Sequence, residues 1–382
     1  ILTSPWYLLF TRTAREATLG LALVVWGLYF HDKKNFKLST LLFILSGFTY
    51  SAYRLLVPLL LLGKKSFKTL MIVLIVFGIL TMDSGSRLRA ANVINSFSPK
   101  TSLQVQLESN EIGQATNNSP AGWVMARAYH NKYAIKIREY SEGYLKHFDV
   151  SYLFTIANPE FEWYKVPSMG LLPLFAIIPF LLGLIKGPKF LIYFFLISAI
   201  PAALTIEIPN PIRHLAGFIP AAIFILVGIK AIEEKTKRAS HLVLILLLLF
   251  SSIFSYKQFF LNREYQNQTY SNQGFKEVVD YIGQNQDKYD QVLLEGDPYI
   301  YFLFWGQKYG FTQDKIKTLD RQWGSVQSLG KLEFLSEESC PKTIENNILY
   351  VCRGNVFPQD STIVFRSFYN NLDPSYTLLV KK

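Results

Sequence analysis

Short lysine-rich turns alternate with long apolar runs along the first two-thirds of this chain, and no other feature constrains its fold as much. The turns read HDKKNFK (His31–Lys37), GKKSFK (Gly63–Lys68), KGPK (Lys186–Lys189) and KAIEEKTKR (Lys230–Arg238). Short loops rich in Lys and Arg stay on the cytoplasmic side of a membrane, because translocating them is unfavourable. With all four turns inside, the long polar segments Asp83–Lys165 and Lys257–Lys382 both fall outside. The pattern is that of a multi-pass protein of the cell (plasma) membrane whose working surface faces away from the cytoplasm.

The charge balance follows from this topology. The chain carries a net charge of +11, which by itself would suit a nucleic-acid partner, but the four turns alone hold twelve Lys or Arg residues. The segment Asp83–Lys165 is nearly balanced, so nucleic acid is excluded as a partner and membrane lipids are expected instead. Half the residues are hydrophobic, with 30 Phe and 22 Tyr, which is unusual for a soluble chain. The chain begins at Ile1 in mid-pattern, with no Met, signal peptide or first basic flank, and reads as the C-terminal part of a longer protein.

Apolar stretches near the ~20 residues that a bilayer requires are Ala17–Phe30, Phe67–Thr81, Pro167–Ile185, Phe190–Ile206, Ile212–Ile229 and His241–Tyr256. Leu38–Leu62 fits better as a hairpin of two short helices than as one span, because one span would bury Arg54 without a partner. The hairpin puts Tyr50, Tyr53 and Arg54 at an outer turn. The expected fold is mainly α: a polytopic membrane helix bundle of about eight segments over residues 1–256, with a small extracytoplasmic α/β domain over 257–382.

Residues 83–165 form an outer loop too long to be passive. Trp123, Ala126, Tyr129, Tyr133, Ile137, Tyr140, Tyr144 and Phe148 recur there at steps of three or four, which predicts an amphipathic helix suited to a membrane interface or to packing on a soluble domain. In the tail, Gly274–Gln284 reads as a helix, QVLLEG as a strand, Pro298–Tyr309 as an aromatic helix, and NILYVC, STIVFRSF and YTLLVK as strands. Cys340 and Cys352 lie in that outer tail as either a disulfide or two unpaired thiols; spacing alone leaves both open.

No Walker loop, GxGxxG, GxSxG or HExxH is present, and the five His residues do not cluster like zinc ligands. What remains is a set of ionisable residues at the outer ends of membrane helices, where charge is costly. Arg12, Arg15 and Glu16 in SPWYLLFTRTARE offer guanidinium forks for phosphate oxygens and an adjacent carboxylate, or a local ion pair at a helix start. Tyr50, Tyr53 and Arg54 form a second set, or an interfacial anchor. Arg213 and His214 in PNPIRHLAG open an apolar span at its outer end, where a cation opposes the helix dipole and calls for an anionic partner.

The runs SPWYLLFTRTARE, YLKHFDVSYLFTIANPEFEWYKVPSMGLLPLFAIIPFLLGL and FFLISAIPAALTIEIPNPIRHLAGFIP, in that order, resemble integral-membrane glycosyltransferases of the GT-C fold. The likeness is to the bacterial branch of protein O-mannosyltransferases and lipid A aminoarabinose transferases. It implies a polyprenyl-phosphate sugar donor and transfer of a sugar to an acceptor, not identified by the sequence, at the outer membrane face. Under the resemblance, Glu16 matches the second acidic position and is the catalytic candidate; Arg12 matches the Arg of the outer motif and Arg213 the later phosphate-side cation. Asn210 stands where relatives often carry a His. The main catalytic base is expected in a preceding N-terminal part. No cofactor is required by the reading, and a divalent metal is left open. The contrasting function classes are a transporter or flippase of lipid-linked glycans, which should show broken helices at the midplane and internal repeats, and a non-enzymatic membrane scaffold.

Overall fold

The basic turns fold as helix stops. Lys34 and Lys65 adopt left-handed backbone at φ 60° and 53°, and the next N–H in each case reaches back around the helix end: Asn35 to the Phe30 carbonyl (2.9 Å) and Ser66 to the Leu61 carbonyl (3.1 Å). This arrangement satisfies carbonyls that a helix C-terminus leaves open. Asn35 then caps the next helix, its Oδ1 accepting from the Leu38 N–H at 3.3 Å.

This computed structural model describes residues 4–11, 16–82, 99–117, 119–156, 165–205, 207–235, 239–263, 272–296, 298–320, 325–335, 340–341, 343–355, 358, 360–369 and 371–382. The chain divides into two compact units, Ile1–Asn262 and Arg263–Lys382. The first is helical: α1 (Pro5–Thr11), α2 (Glu16–Asp32), α3 (Phe36–Thr49), α4 (Tyr53–Gly63), α5 (Phe67–Thr81), α6 (Pro99–Ala115), α7 (Pro120–Tyr129), α8 (Lys132–Lys146), α9 (Ile177–Lys186), α10 (Lys189–Ser198), α11 (Ile200–Ala203), α12 (Phe218–Glu233) and α13 (Ala239–Tyr256). Leu38–Leu62 is broken at Tyr50–Ala52 into α3 and α4, as the hairpin reading requires.

Lys64 gathers three of the basic turns. Its Nζ lies 2.8 Å from Asp32 Oδ1 and 4.2 Å from the centre of the Phe190 ring, so HDKKNFK, GKKSFK and KGPK share one end of the unit. The fourth turn departs from expectation. Gly183 and Gly187 lie against Phe224, while Gly228 lies against Pro179, so α9 and α12 pass antiparallel rather than parallel. KAIEEKTKR therefore leaves α12 at the end of this pair remote from KGPK. The small residues decide it: the helices meet backbone to backbone at Gly183 and Gly228, a contact that a count of lysines does not sense.

The expectation of about eight membrane segments also needs correction. Among the described residues, two helices are long and apolar enough to cross a membrane, Leu215–Glu233 and Ile245–Asn262. Leu174–Lys186 and Lys189–Ala203 would make a third only if counted as one span, and they are bent by 120°. Phe36–Thr49, Tyr53–Gly63 and Phe67–Thr81 are apolar but shorter. The physical reason lies in the stops: helix-ending turns at Lys34 and Lys65, the break at Tyr50–Ala52 and Gly187–Pro188 divide apolar sequence into pieces below the length of a bilayer core.

The predicted interfacial helix is two helices, α7 and α8, separated where Asn131 caps α8 by accepting from the Tyr133 and Ala134 N–H groups at 2.9 and 3.0 Å. Ala126, Ile135 and Gly143 face inward, whereas Trp123, Tyr129, Tyr133 and Ile137 are exposed.

The second unit is a seven-stranded mixed sheet. Its strands are β1 (Gln291–Glu295), β2 (Ile316–Asp320), β3 (Ser325–Leu329), β4 (Leu332–Leu335), β5 (Ile348–Arg353), β6 (Ser361–Phe368) and β7 (Pro374–Lys381), in the order β2-β3-β4-β1-β5-β7-β6. β1 is parallel to β4 and β5, and the remaining pairs are antiparallel. Two further helices, α14 (Phe275–Asn285) and α15 (Tyr299–Trp305), supply Phe275, Val278, Ile282 and Phe302 to a core with Val292, Leu294, Leu349 and Leu378. Cys340 and Cys352 form a disulfide with Cα atoms 5.2 Å apart, within the range that a bridge needs.

Candidate functional site

The turn PNPIRH is built by one side chain. Asn210 Oδ1 accepts from the N–H groups of Ile212 (3.1 Å) and Arg213 (3.0 Å), closing the chain into a tight turn ahead of Leu215–Gly217 and α12. Asn210 Nδ2 donates to Glu207 Oε2 at 2.9 Å. That same oxygen sits 3.6 Å from Arg213 Nη1, an ion pair longer than a hydrogen bond. Arg213 Nη1 is buried and has no hydrogen-bond partner among the described residues. A buried guanidinium N–H left open is expensive, and this one is held beside a carboxylate that is itself partly engaged by Asn210.

Around this turn the three sequence strings that carried the family likeness come together. Trp6, from SPWYLLF, donates its indole N–H to the Pro211 carbonyl at 3.2 Å and packs 5.3 Å from the His214 ring. From YLKHFDVSYLF, His147 and Tyr152 lie 5.2 and 6.2 Å from His214. His147 is fixed in one neutral tautomer: Nδ1–H donates to the Gly143 carbonyl at 2.8 Å and Nε2 accepts from the Asn210 N–H at 3.1 Å. Burial pushes its pKa down to about 4, so it stays uncharged at neutral pH. His214 is fully buried, and neither of its ring nitrogens nor the Tyr152 hydroxyl has a hydrogen-bond partner among the described residues.

Of the remaining candidates, Tyr50, Tyr53 and Arg54 have partners of their own. Glu16 is exposed at the start of α2, one residue before Ala17, whose carbonyl accepts from the buried Tyr53 hydroxyl at 2.7 Å. Tyr50 packs edge-on against Tyr53, 5.5 Å away. Arg54 Nε donates to the Gly47 carbonyl at 2.9 Å, so its charge is engaged with the α3–α4 turn. Among the described residues no contact joins Glu16, Arg54 and Arg213 to one another; the link between their neighbourhoods is α2, which packs against both α4 and the Leu215–Gly217 turn. Arg12 and Arg15 lie outside the described residues. No group of three His, Cys, Asp or Glu among the described residues is placed to hold a metal.

Sequence reasoning missed Trp6, His147 and Tyr152 as parts of the turn's surroundings, and it named Asn210 only as a departure from the family pattern, not as the side chain that builds the turn. It also missed a separate ionic centre. Glu108 on α6 accepts from Arg138 Nη2 and pairs with His130 Nδ1, both at 2.6 Å. The hydrogen bonds from Arg138 and then His130 hold its carboxyl at about 2, well below the usual range. Nothing local to Glu108 in the sequence marks it.

No family model, curated protein or solved structure matches this chain.

Proposed function

We propose that this chain is part of a multi-pass membrane glycosyltransferase that takes its sugar from a polyprenyl-phosphate carrier at the outer face of the cell membrane. The observation that carries the reading is Arg213: a largely buried cation with an open N–H, on a braced turn at the start of a membrane-length helix. A carrier phosphate would complete its hydrogen bonding and displace its loose contact with Glu207. The convergence of Trp6, His147, Asn210 and His214 on this turn supports the same assignment, because the strings that resemble the GT-C transferases are those that pack together.

The reaction is a displacement at the anomeric carbon. An acceptor hydroxyl oxygen bonds to that carbon, the carbon–oxygen bond to phosphate breaks, and polyprenyl phosphate leaves with the bonding pair while the hydroxyl proton passes to a base. Phosphate is a good leaving group, so positioning and charge neutralisation carry most of the rate. Arg213 neutralises the departing oxygen; Glu16 is the acidic group of this chain assigned to the acceptor side. The extracytoplasmic placement of the second unit belongs to this proposal as well.

A second reading is favoured by the 120° break between α9 and α10 at Gly187–Pro188: broken helices are also a transporter device. One assay separates the two. The full-length protein in lipid nanodiscs is given polyprenyl-phosphate-linked hexose or pentose and assayed for released polyprenyl phosphate. Arg213→Ala should lower release about a hundredfold with an unchanged thermal midpoint. Movement of intact donor across the bilayer without release would establish the transporter, and wild-type turnover in Arg213→Ala would remove the phosphate assignment.

A further inference from the structure

The second unit contains an apolar groove of its own. α15 and the turns after it, Gln307–Tyr309 and Gln313–Lys315, enclose about 830 Å³ lined by Ile300, Tyr301, Phe304, Trp305, Gln307 and Gln313, among others. That volume suits a drug-sized molecule or a short oligosaccharide. α15 directly follows the C-terminal end of β1, where open α/β sheets place their ligand loops. We propose that this groove binds a neutral oligosaccharide.

The floor is a prebuilt aromatic platform. Tyr301 and Trp305 stack with centroids 5.2 Å apart and planes inclined by 17°. Behind them, the Tyr301 hydroxyl accepts from Asn272 Nδ2 at 2.9 Å, and Asn272 Oδ1 accepts from the Tyr376 hydroxyl at 2.8 Å. Phe275 packs on both tyrosines. The rings are therefore locked before any ligand arrives, which reduces the ordering cost of binding. Phe304, 74% exposed, extends the apolar surface outward.

The rim decides the ligand class. The side-chain amides of Gln307 and Gln313 make no hydrogen bond among the described residues, and each offers both a donor and an acceptor. A sugar hydroxyl is likewise both, and the C–H face of a pyranose ring is the apolar surface that an aromatic platform accepts. None of the described lining residues is charged. A surface that docks onto anionic membrane adds Lys or Arg around its apolar side chains; here the neighbouring Lys308 is held 3.0 Å from Asp280 and does not line the groove. A proline-rich peptide presents mainly acceptors and would make poor use of two free amide oxygens. The inference rests on the second unit alone and stands or falls independently of the transferase reading.

The test uses the whole chain in lipid nanodiscs, since the sugar headgroups of glycoside detergents would compete. Maltohexaose, chitohexaose and mannohexaose are titrated by calorimetry and by saturation-transfer NMR. At least one should bind, with saturation strongest on ring C–H protons. Trp305→Ala should weaken that binding about tenfold or more, and Gln313→Ala severalfold, while Arg213→Ala leaves it unchanged. If Trp305→Ala loses its circular-dichroism signature, Phe304→Ala at the exposed edge carries the test, with at least threefold weakening expected. The proposal is overturned if none of the three saccharides binds, or if binding survives these substitutions intact. It is also overturned if tryptophan fluorescence is quenched by brominated lipid through Trp305, or if a polyproline peptide binds there in preference to all three sugars.

Discussion

In the helical unit, Leu242, Ile245, Phe250 and Ile253 on α13 are more than half exposed, as are Met71, Ile75 and Ile79 on α5. In the sheet unit, Val292, Leu294, Leu329, Leu349 and Leu378 are fully buried, and large exposed apolar side chains are concentrated on α15 and along β6 and its hairpin. Both regions are rich in Leu, Ile and Phe, yet one buries them within itself and the other does not. The sheet unit completes its own core, as a water-soluble domain must. The helical unit leaves apolar faces exposed, and two of its helices are long and apolar enough to cross a membrane, which is compatible with membrane insertion. Its internal contacts are correspondingly different: glycines that let backbones touch, and side chains that satisfy buried carbonyls, such as Tyr53 on Ala17 and Tyr193 on Leu59.

The largest expected effect breaks the first of these devices. A Cβ at Gly183 would run into the Phe224 carbonyl, and backbone has no room to yield there. Gly183→Leu should destabilise the helical unit by about 3 kcal/mol or more, read as a lowered thermal midpoint in nanodiscs or as loss of folded protein. The sheet unit, followed by disulfide retention and saccharide binding, should be untouched. A Gly183→Leu protein as stable as the parent would mean that α9 and α12 do not meet face to face, and the antiparallel pairing would have to be abandoned.

The second prediction is its mirror image. Breaking Cys340–Cys352 with the double change Cys340→Ser, Cys352→Ser should cost the sheet unit about 3 kcal/mol through the freed loop of the unfolded chain and leave Arg213-dependent turnover alone. The bond joins the segment before β5 to β5 itself, where Cys352 is buried next to Tyr350 and Leu379. Equal stability of the parent and the double variant under oxidising conditions would show that the local core, not the bridge, fixes that segment.

How much of this was legible depended on whether the signal was local. The α3–α4 break at Tyr50–Ala52 could be read because a buried Arg54 is costly, and β1, β5, β6 and β7 because their apolar residues cluster between turn residues. β2, β3 and β4 were missed: they are short, and IKTLD and SVQSL alternate weakly. LGKL was the available signal, for Gly330 takes φ 63° and lets Leu329 pair with Leu332 across a tight turn. In the site, Arg213 and His214 could be singled out from their position after two prolines. Their partners could not, since His147 and Trp6 reach PNPIRH across separations that only the packed chain reveals. The same blindness explains the fourth basic turn: the charge pattern reads loops one at a time, whereas Gly183 and Gly228 act as a pair.

The smallest expected effect concerns the ionic centre of the α6–α8 region, which resembles neither device. Glu108 gains Arg138 and His130 on folding, and its folded pKa is depressed to about 2 from an unfolded value of roughly 4.3. A carboxylate lowered in this way stabilises the fold above its unfolded pKa, and the contribution fades as pH falls from about 4 towards 2. The group lies near the surface, so the whole contribution should be on the order of 1 kcal/mol. Glu108→Gln keeps the shape and removes the charge. The thermal midpoint of the parent should exceed that of Glu108→Gln by a few degrees at pH 6, and the gap should narrow steadily as both are taken down to pH 2.5. A gap that stays constant over this range would mean that the carboxylate acts by shape and hydrogen bonding alone, and α6, α7 and α8 would then be held by packing such as Gly122 on Thr116 instead of by charge.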